Sequence, residues 1–165
     1  MTSTAYSSHM SKNPVDRDYW RGPHPHPLAP NADDVRDYSL ALGEYSSVLL
    51  LGNTPALVPL CTVALDLEPF DTSGKSRQGD WTKNSEFFDG IIGDGVLNFT
   101  PALSEKVLRM ALKNSRVFVA RVFRERLPIM RIADHFPAPE WFHTRPNEVF
   151  DRDGYSFYVW RQSVK

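Results

Sequence analysis

The sequence predicts one α/β domain built on a mostly parallel sheet. From Val48 onward, short apolar runs of strand length alternate with segments that have helical or turn character. Two of these runs break into glycine-containing polar turns, at Gly52 and at Gly93. The chain has 165 residues, which favours a single domain with one core. We therefore expect helices on both faces of the sheet and a ligand crevice at the carboxyl ends of its strands.

The beginning of the chain is expected to lie outside this core. Residues 1–13 are mostly small and polar, so we expect a mobile leader, and residues 14–165 form the predicted domain. Prolines alternate with other residues over 19–30, which forbids a helix there and favours an extended segment.

The first helix is predicted just before the first strand. Asn31 or Asp33 can cap its start, and the pattern runs to about Leu42, with Gly43 as its end. Together with the extended segment, this helix makes up residues 14–43.

The remaining elements follow in order along the chain. The predicted strands are 48–51, 62–67, 76–78, 88–93, 116–123 and 155–160. A short helical connection is expected over 55–60, and a longer helix should begin at the cap Thr100 with Pro101 in its first position and run to about Lys113. A further helix is predicted over 129–135, with a loop over 136–153 that forms part of a pocket wall.

The composition bears on which partners the protein binds and on its cellular compartment. The net charge is -1 and no basic stretch stands out, which gives no support for binding nucleic acid or a membrane. Cys61 is the only cysteine, so no intramolecular disulfide can form, and we expect it to be buried. No apolar run is long enough to span a bilayer. We expect a cytoplasmic protein, and a homodimer stays open.

Polar residues follow three of the predicted strands. Gly52 follows the first, Asp66 ends the second, and Asp94 and Asn98 belong to a glycine-flanked turn after a later one. Carboxyl ends of parallel strands meet at one edge, so these residues are predicted to share a site. A glycine turn followed by an acid on the next strand is typical of a site for a nucleoside-bearing cofactor, which indicates an enzyme.

Five motifs in this order resemble those of a known family. They are Leu51-Gly52-Asn53-Thr54-Pro55, Val63-Ala64-Leu65-Asp66, Gly79-Asp80-Trp81, the stretch from Phe88 to Asn98, and Ser115-Arg116-Val117-Phe118-Val119-Ala120-Arg121-Val122-Phe123. The chain resembles class I S-adenosylmethionine-dependent methyltransferases, in particular compact bacterial members whose first motif is Leu-Gly-x-Thr-Pro. The resemblance covers about residues 19–123 and implies a Rossmann-like fold.

The resemblance implies that S-adenosylmethionine is the cofactor, and no metal site is predicted. Gly52 would let the backbone approach the methionyl part, whose carboxylate would meet the helix that begins near Pro55. Asp66 would accept the ribose hydroxyls, and Asp80 the adenine amino group, with the ring of Trp81 as an apolar wall. The implied cofactor-binding residues are Gly52, Asn53, Thr54, Pro55, Asp66, Leu67, Asp80, Trp81, Gly93, Asp94, Gly95 and Asn98.

The predicted catalytic residues are Asp94, Tyr19 and Tyr38. Asp94 would lie nearest the sulfonium, and the two tyrosines would belong to an N-terminal lid over cofactor and substrate. Several of these residues have simpler alternatives: Asp66 as a cap, Asp80 as a turn acid, and Trp81, Tyr19 and Tyr38 as packing residues.

The histidines are weaker candidates for functional residues. His24 and His26 alternate with prolines, and we expect exposed loop residues there instead of metal ligands. His135 and His143 are candidate bases near the pocket.

The function predicted on this basis is methyl transfer to a small-molecule acceptor. Two alternatives stay open. In the first, the cofactor serves cyclisation or elimination instead; in the second, the chain is a catalytically silent subunit that binds a partner protein.

Overall fold

The computed structural model describes residues 24–67, 73–124 and 144–162. These residues contain two α-helices, α1 (Ala32–Leu42) and α2 (Pro101–Lys113), and two short 3-10 helices, Pro55–Leu60 and Trp81–Lys83. The strands are β1 (Val48–Leu51), β2 (Val63–Asp66), β3 (Ser76–Gln78), β4 (Phe88–Asp94), β5 (Ser115–Phe123), β6 (Glu148–Asp151) and β7 (Tyr155–Arg161).

All seven strands belong to one sheet, in the order β3-β2-β1-β4-β5-β7-β6. The first five pair in parallel, while β7 runs antiparallel between β5 and β6. The prediction of a mostly parallel sheet in an α/β fold is confirmed. The strand order reverses between β1 and β4. From β1 the sheet continues to β2 and β3 on one side, and from β4 it continues to β5 on the other.

The central strands β1, β4 and β5 are buried on both faces, whereas the edge strands β3 and β6 are largely exposed. Against one face, α1 packs Tyr38 and Leu42 with strand residues that include Leu50 and Ile92. Against the other, α2 packs Leu103 and Val107 with the alternate strand residues, among them Leu49, Ile91 and Phe118. Because successive side chains of a strand point to opposite faces, continuous apolar strands are what such a doubly covered sheet requires. The predicted placement of helices on both faces is confirmed.

Both helices begin where the sequence predicts. Asn31 caps α1 in a capping box with Asp34, and α1 ends at Gly43, whose φ is 72°. The hydroxyl of Thr100 accepts from the backbone N–H of Leu103 at the start of α2, and Pro101 occupies a first-turn position that needs no N–H donor.

One predicted loop proves to contain a strand. β6 lies inside the stretch 136–153, which was predicted to be a loop throughout, so that prediction is wrong at Glu148–Asp151. The cause is pairing: β6 is a short, exposed edge strand whose pattern carries no signal of its own, and β7 holds it through a turn at Gly154 (φ 84°). The helix predicted over 129–135 lies outside the described residues, as do Tyr19, His135 and His143. Over the part that the structure describes, no helix has the length and apolar character needed to cross a bilayer.

Candidate functional site

A crevice is expected where the strand order reverses, at the carboxyl ends of β1, β2 and β4. The register places Leu51 beside Leu65 on one side and beside Gly93 on the other. The turns after these strands therefore share one edge of the sheet. Most of the predicted site residues that are described end or follow these strands; the exceptions are Asp80 and Trp81, which follow β3, and Tyr38, which lies on α1.

Gly52, Asp66 and Trp81 surround one point at this edge. Gly52 has φ 99°, a conformation that favours glycine, and its N–H donates to the Leu65 carbonyl at 2.8 Å. A Cβ at Gly52 would lie 3.6 Å from Cζ2 of Trp81 and 3.7 Å from Oδ2 of Asp66. The Trp81 indole is fixed because its Nε1–H donates to the Leu65 carbonyl at 2.6 Å. An aromatic ring atom and a carboxylate oxygen thus lie beside a backbone that carries no side chain.

The loop after Gly52 contributes a buried amide. Asn53 is 5% exposed, and its Oδ1 accepts from the Ser76 hydroxyl at 3.0 Å. Its Nδ2 is also buried and has no hydrogen-bond partner within the described parts of the chain. An unpaired buried donor is uncommon in folded proteins, and a bound acceptor is one way to satisfy it.

The 3-10 helix after this loop offers fewer free amides than expected. Pro55 has no N–H, and the N–H of Leu57 already donates to the Thr54 carbonyl at 2.9 Å. Thr54 makes no capping hydrogen bond with its side chain. The implied capture of a carboxylate by this helix stays a prediction.

Asp80 and Leu67 have local partners. Oδ1 of Asp80 caps the 3-10 helix Trp81–Lys83, accepting from the N–H of Thr82 at 2.9 Å and from its hydroxyl at 2.7 Å. The Leu67 carbonyl accepts from the Gln78 side chain at 3.2 Å. The capping contact agrees with the simpler alternative for Asp80, and its contact with adenine stays a prediction.

The turn after β4 is tied to the end of β5. The N–H of Gly95 donates to the Arg121 carbonyl at 2.9 Å, with Gly95 at φ 70°. The Asn98 side chain pairs with the backbone of Phe123 in both directions: Nδ2 donates to its carbonyl at 2.7 Å, and Oδ1 accepts from its N–H at 2.9 Å. Gly93 has no room for a side chain, because a Cβ would lie 2.5 Å from Val96. These residues shape the edge of the crevice.

Asp94 is held by a buried arginine. Nε and Nη2 of Arg121 donate to the two carboxylate oxygens of Asp94 at 2.6 and 2.8 Å, a bidentate pair. The Arg121 side chain is 0% exposed, and its Cζ lies 5.0 Å and 4.8 Å from the ring centroids of Phe123 and Tyr155. The charge of Asp94 is therefore already balanced by a cation of the protein.

Arg121 also joins the N-terminal part of the chain to this edge. Nη1 donates to Oδ2 of Asp34 at 3.3 Å, and Nη2 donates to the Leu28 carbonyl at 3.0 Å. The Tyr38 hydroxyl lies 2.9 Å from Oδ1 of Asp94 and accepts from the N–H of Arg121 at 3.0 Å. Tyr38 is fully buried, so it packs under the edge in this structure, and its role in a lid stays a prediction.

Two further residues complete this cluster. The Tyr155 hydroxyl donates to Oδ1 of Asp34 at 2.7 Å. Nε2 of His26 lies 3.1 Å from Oδ2 of Asp34 and 3.0 Å from the Tyr155 hydroxyl. We call the six residues that these contacts join the Arg121 cluster: His26, Asp34, Tyr38, Asp94, Arg121 and Tyr155.

The environment of the cluster shifts its pKa values. Burial raises the pKa of Tyr38 well above its ordinary value, and the nearby Asp94 carboxylate raises it further. Burial and the hydrogen bond to Asp34 raise the pKa of Tyr155 to about 12. For Arg121, burial acts to lower the pKa, but the carboxylate of Asp94 and the other partners outweigh it, and the pKa is raised. Both tyrosines thus stay neutral and Arg121 stays charged.

Sequence reasoning missed Arg121, Asp34 and His26 as members of one cluster. Of these residues, the sequence indicated a buried role for Arg121 alone. It is the one charged residue in the otherwise apolar run Val117–Phe123, and a charge buried in such a strand needs a buried partner. In the described parts of the chain, no group of three acidic, histidine or cysteine side chains could hold a metal ion.

Comparison with known proteins informs the fold. No protein-family model matches the chain, and no curated protein matches it by sequence. The chain is similar to the N-terminal domain of EvdMO1 solved with SAH bound, with a TM-score of 0.53 and 15% identity over 82% of this chain and 83% of that chain. A structure of the same domain in the presence of SAH and D-fucose gives a TM-score of 0.51 at 15% identity, over 80% and 82% of the two chains. The chain therefore shares the α/β fold of this domain, and the Rossmann-like, mostly parallel sheet that its sequence predicts is confirmed.

Proposed function

We propose that this chain binds S-adenosylmethionine and transfers its methyl group to a small-molecule acceptor. The observation that supports this most is the arrangement of Gly52, Asp66 and Trp81 around one point beside the strand-order reversal. The residues fit the cofactor: the missing side chain at Gly52 leaves the backbone open beside an aromatic ring and a carboxylate, and the unpaired Nδ2 of the adjacent residue Asn53 offers a donor.

Each of these residues has a role in holding the cofactor. Asp66 accepts hydrogen bonds from ribose hydroxyls, since an ionised carboxylate is an acceptor only. Trp81 provides the apolar wall for adenine, and its bond to the Leu65 carbonyl keeps the ring in place. The buried Nδ2 of Asn53 gains the acceptor that it lacks. The EvdMO1 domain of the same fold was solved with SAH, the demethylated form of this cofactor, which supports the choice of ligand.

Catalysis on this proposal comes mainly from positioning. The bound cofactor supplies a methyl group that its sulfonium has already activated. The chain has to hold an acceptor in line with that group and exclude water from it. The acceptor would lie at the carboxyl ends of β4 and β5, where the contacts of Asn98 and the Arg121 cluster hold the two strand ends together.

One observation favours the alternative of a catalytically silent subunit. Both carboxylate oxygens of Asp94, the residue predicted to face the sulfonium, are bonded to Arg121. Calorimetric titration separates this alternative from the proposal only in combination with a transfer assay. Binding of S-adenosylmethionine without turnover would favour the silent subunit.

The first experiment is calorimetric titration with S-adenosylmethionine and S-adenosylhomocysteine. We expect micromolar binding to the wild type and to Asp33→Ala, whose exposed acid serves as the control. Asp66→Ala should weaken binding at least about 100-fold, because two hydrogen bonds to a charged acceptor are each worth about 1.5–3 kcal/mol. No binding of either nucleoside to the wild type would refute the proposal.

A further inference from the structure

His26 combines partial exposure with fixed, buried partners. Its side chain is 39% exposed, whereas the Asp34 side chain that it contacts is 2% exposed. Nε2 is the atom that faces inward, toward Asp34 and Tyr155. The other ring nitrogen, Nδ1, is therefore on the opposite side of the ring from these contacts.

The hydrogen bonds determine which ring nitrogen carries the proton. A tyrosine hydroxyl has one proton, and that of Tyr155 is committed to Oδ1 of Asp34 at 2.7 Å. Toward His26, the Tyr155 oxygen and Oδ2 of Asp34 both act as acceptors. Nε2 must then be the donor, and the neutral imidazole carries its lone pair on Nδ1.

Asp34 is itself held firmly in this orientation. Its Oδ2 accepts from the N–H of Asn31 at 3.0 Å within the capping box of α1, and from Arg121 at 3.3 Å. A buried carboxylate that fixes the tautomer and orientation of a histidine is the arrangement that activates a general base. Asp34 acts here as a positioning residue.

The location suits an acceptor opposite the cofactor. Tyr155 lies on β7, where it pairs with Phe123 at the carboxyl end of β5, and β7 is three strands from β1 in the sheet. Three strand spacings amount to about 14 Å. A small acceptor at the carboxyl ends of β4 and β5 would thus have the Gly52 loop on one side and the His26 segment on the other.

We propose that His26 is the catalytic base of this protein and that its acceptor is a hydroxyl group; this rests on the proposed methyl transfer. Nδ1 takes the proton of the hydroxyl as the oxygen forms its bond to the methyl carbon. The carbon–sulfur bond breaks, its electron pair stays on sulfur as a neutral thioether, and the imidazolium then releases its proton to water. Asp34 stabilises the imidazolium while it exists.

The charged and titratable groups that face His26 are Asp34 on α1 and Tyr155 on β7, with Arg121 of β5 behind them. The same contacts of His26 also fit a purely structural role, in which its side chain only links the N-terminal segment to the sheet. The variant His26→Gln separates the two roles, because a glutamine amide can still donate to Asp34 and has no basic nitrogen. His24→Gln, the same change two residues away, is the matched control.

The first readout needs neither cofactor nor acceptor. Long-range ¹H–¹⁵N NMR on the full, unliganded chain reports the tautomer, and the neutral imidazole of His26 should carry its proton on Nε2. Finding the single proton of the neutral ring on Nδ1 would overturn the proposal, since that atom could not then accept one.

The second readout uses two phenols that differ in acidity, para-cresol and para-nitrophenol. The cresol keeps its proton in mildly alkaline buffer, whereas the nitrophenol is already ionised there and needs no base. His26→Gln should lower kcat on para-cresol by about 10²–10⁴-fold. On para-nitrophenol, it should leave kcat nearly unchanged, as should His24→Gln on both.

Equal losses of kcat on the two phenols, or no loss on either, would overturn the role of His26 while leaving methyl transfer intact. Failure of the proposed function would show differently, as absence of cofactor binding in the wild type. Calorimetry on His26→Gln keeps these apart, because this variant should bind S-adenosylmethionine as the wild type does.

Discussion

Replacing Arg121 by methionine tests how far the N-terminal segment and the strand edge depend on one buried cation. The substitution keeps an unbranched chain of similar length but removes the guanidinium. Asp94 then loses bonds of 2.6 and 2.8 Å, and Asp34 loses one of 3.3 Å. Both carboxylates stay buried, with side chains 6% and 2% exposed, without a cation to balance them.

The cost of this change follows from that burial. Removing one partner of a buried ion pair costs about 3–5 kcal/mol, because the remaining charge is left uncompensated. The Leu28 carbonyl also loses its donor, and a buried unpaired acceptor costs about 1–3 kcal/mol. We therefore expect Arg121→Met to lower the free energy of unfolding by at least about 4 kcal/mol, a large part of the about 5–15 kcal/mol typical of a domain.

Urea denaturation followed by circular dichroism measures this directly. Arg116→Met is the control on the same strand: its side chain is 67% exposed and lies 3.5 Å from Asp89, so a change of less than about 1 kcal/mol is expected. Adding Asp94→Asn to Arg121→Met removes one of the stranded charges and should recover at least about 1 kcal/mol. A loss below about 1 kcal/mol for Arg121→Met, or equal losses for both arginines, would refute the reasoning.

Three further substitutions probe other parts of the edge and core. Asn98→Ala leaves the N–H and carbonyl of Phe123 without their partners and should lower the free energy of unfolding by about 2–3 kcal/mol in urea titration. Gly90→Ala would place a Cβ 2.6 Å from Cδ2 of Leu42, so overpacking of about 1–3 kcal/mol should lower the Tm, and an unchanged Tm would contradict the packing described. Folding raises the pKa of Tyr155 from 10.0 to about 12. The neutral hydroxyl therefore stabilises the folded state fully below about pH 10, and this stabilisation is lost by about pH 12. Between these values the free energy of unfolding falls by about 1.4 kcal/mol per pH unit. Urea titrations across that range should give a shallower decline for Tyr155→Phe than for the wild type.

The elements of the central sheet could be predicted because their signals are local. The run Val48–Leu51 is apolar throughout and is followed by a glycine. The start of the helix Pro101–Lys113 is indicated by a threonine cap and a proline in the first turn. Each signal lies within a few residues of the structure that it specifies. β6 has no such signal, since its pairing with β7 is what makes it a strand.

The candidate site divides in the same way. Gly52 and Asp66 could be predicted from their places at strand ends, and the structure brings them together. His26 and Tyr155 are 129 positions apart, and Arg121 is 87 positions from Asp34. Contacts over such separations are set by the path of the whole chain, so spacing in the sequence carried no information about them.

The last of the described strands occupies an interior place in the sheet. β7 lies between β5 and β6, so β5 has an open edge until residues 155–161 have been synthesised. β5 has nine residues, of which eight are buried and six are apolar, and an uncovered edge of that kind readily pairs with other chains. Until the β6–β7 hairpin has formed, this edge is an aggregation hazard for the nascent chain. A premature stop at any point before Tyr155 would leave this edge exposed permanently.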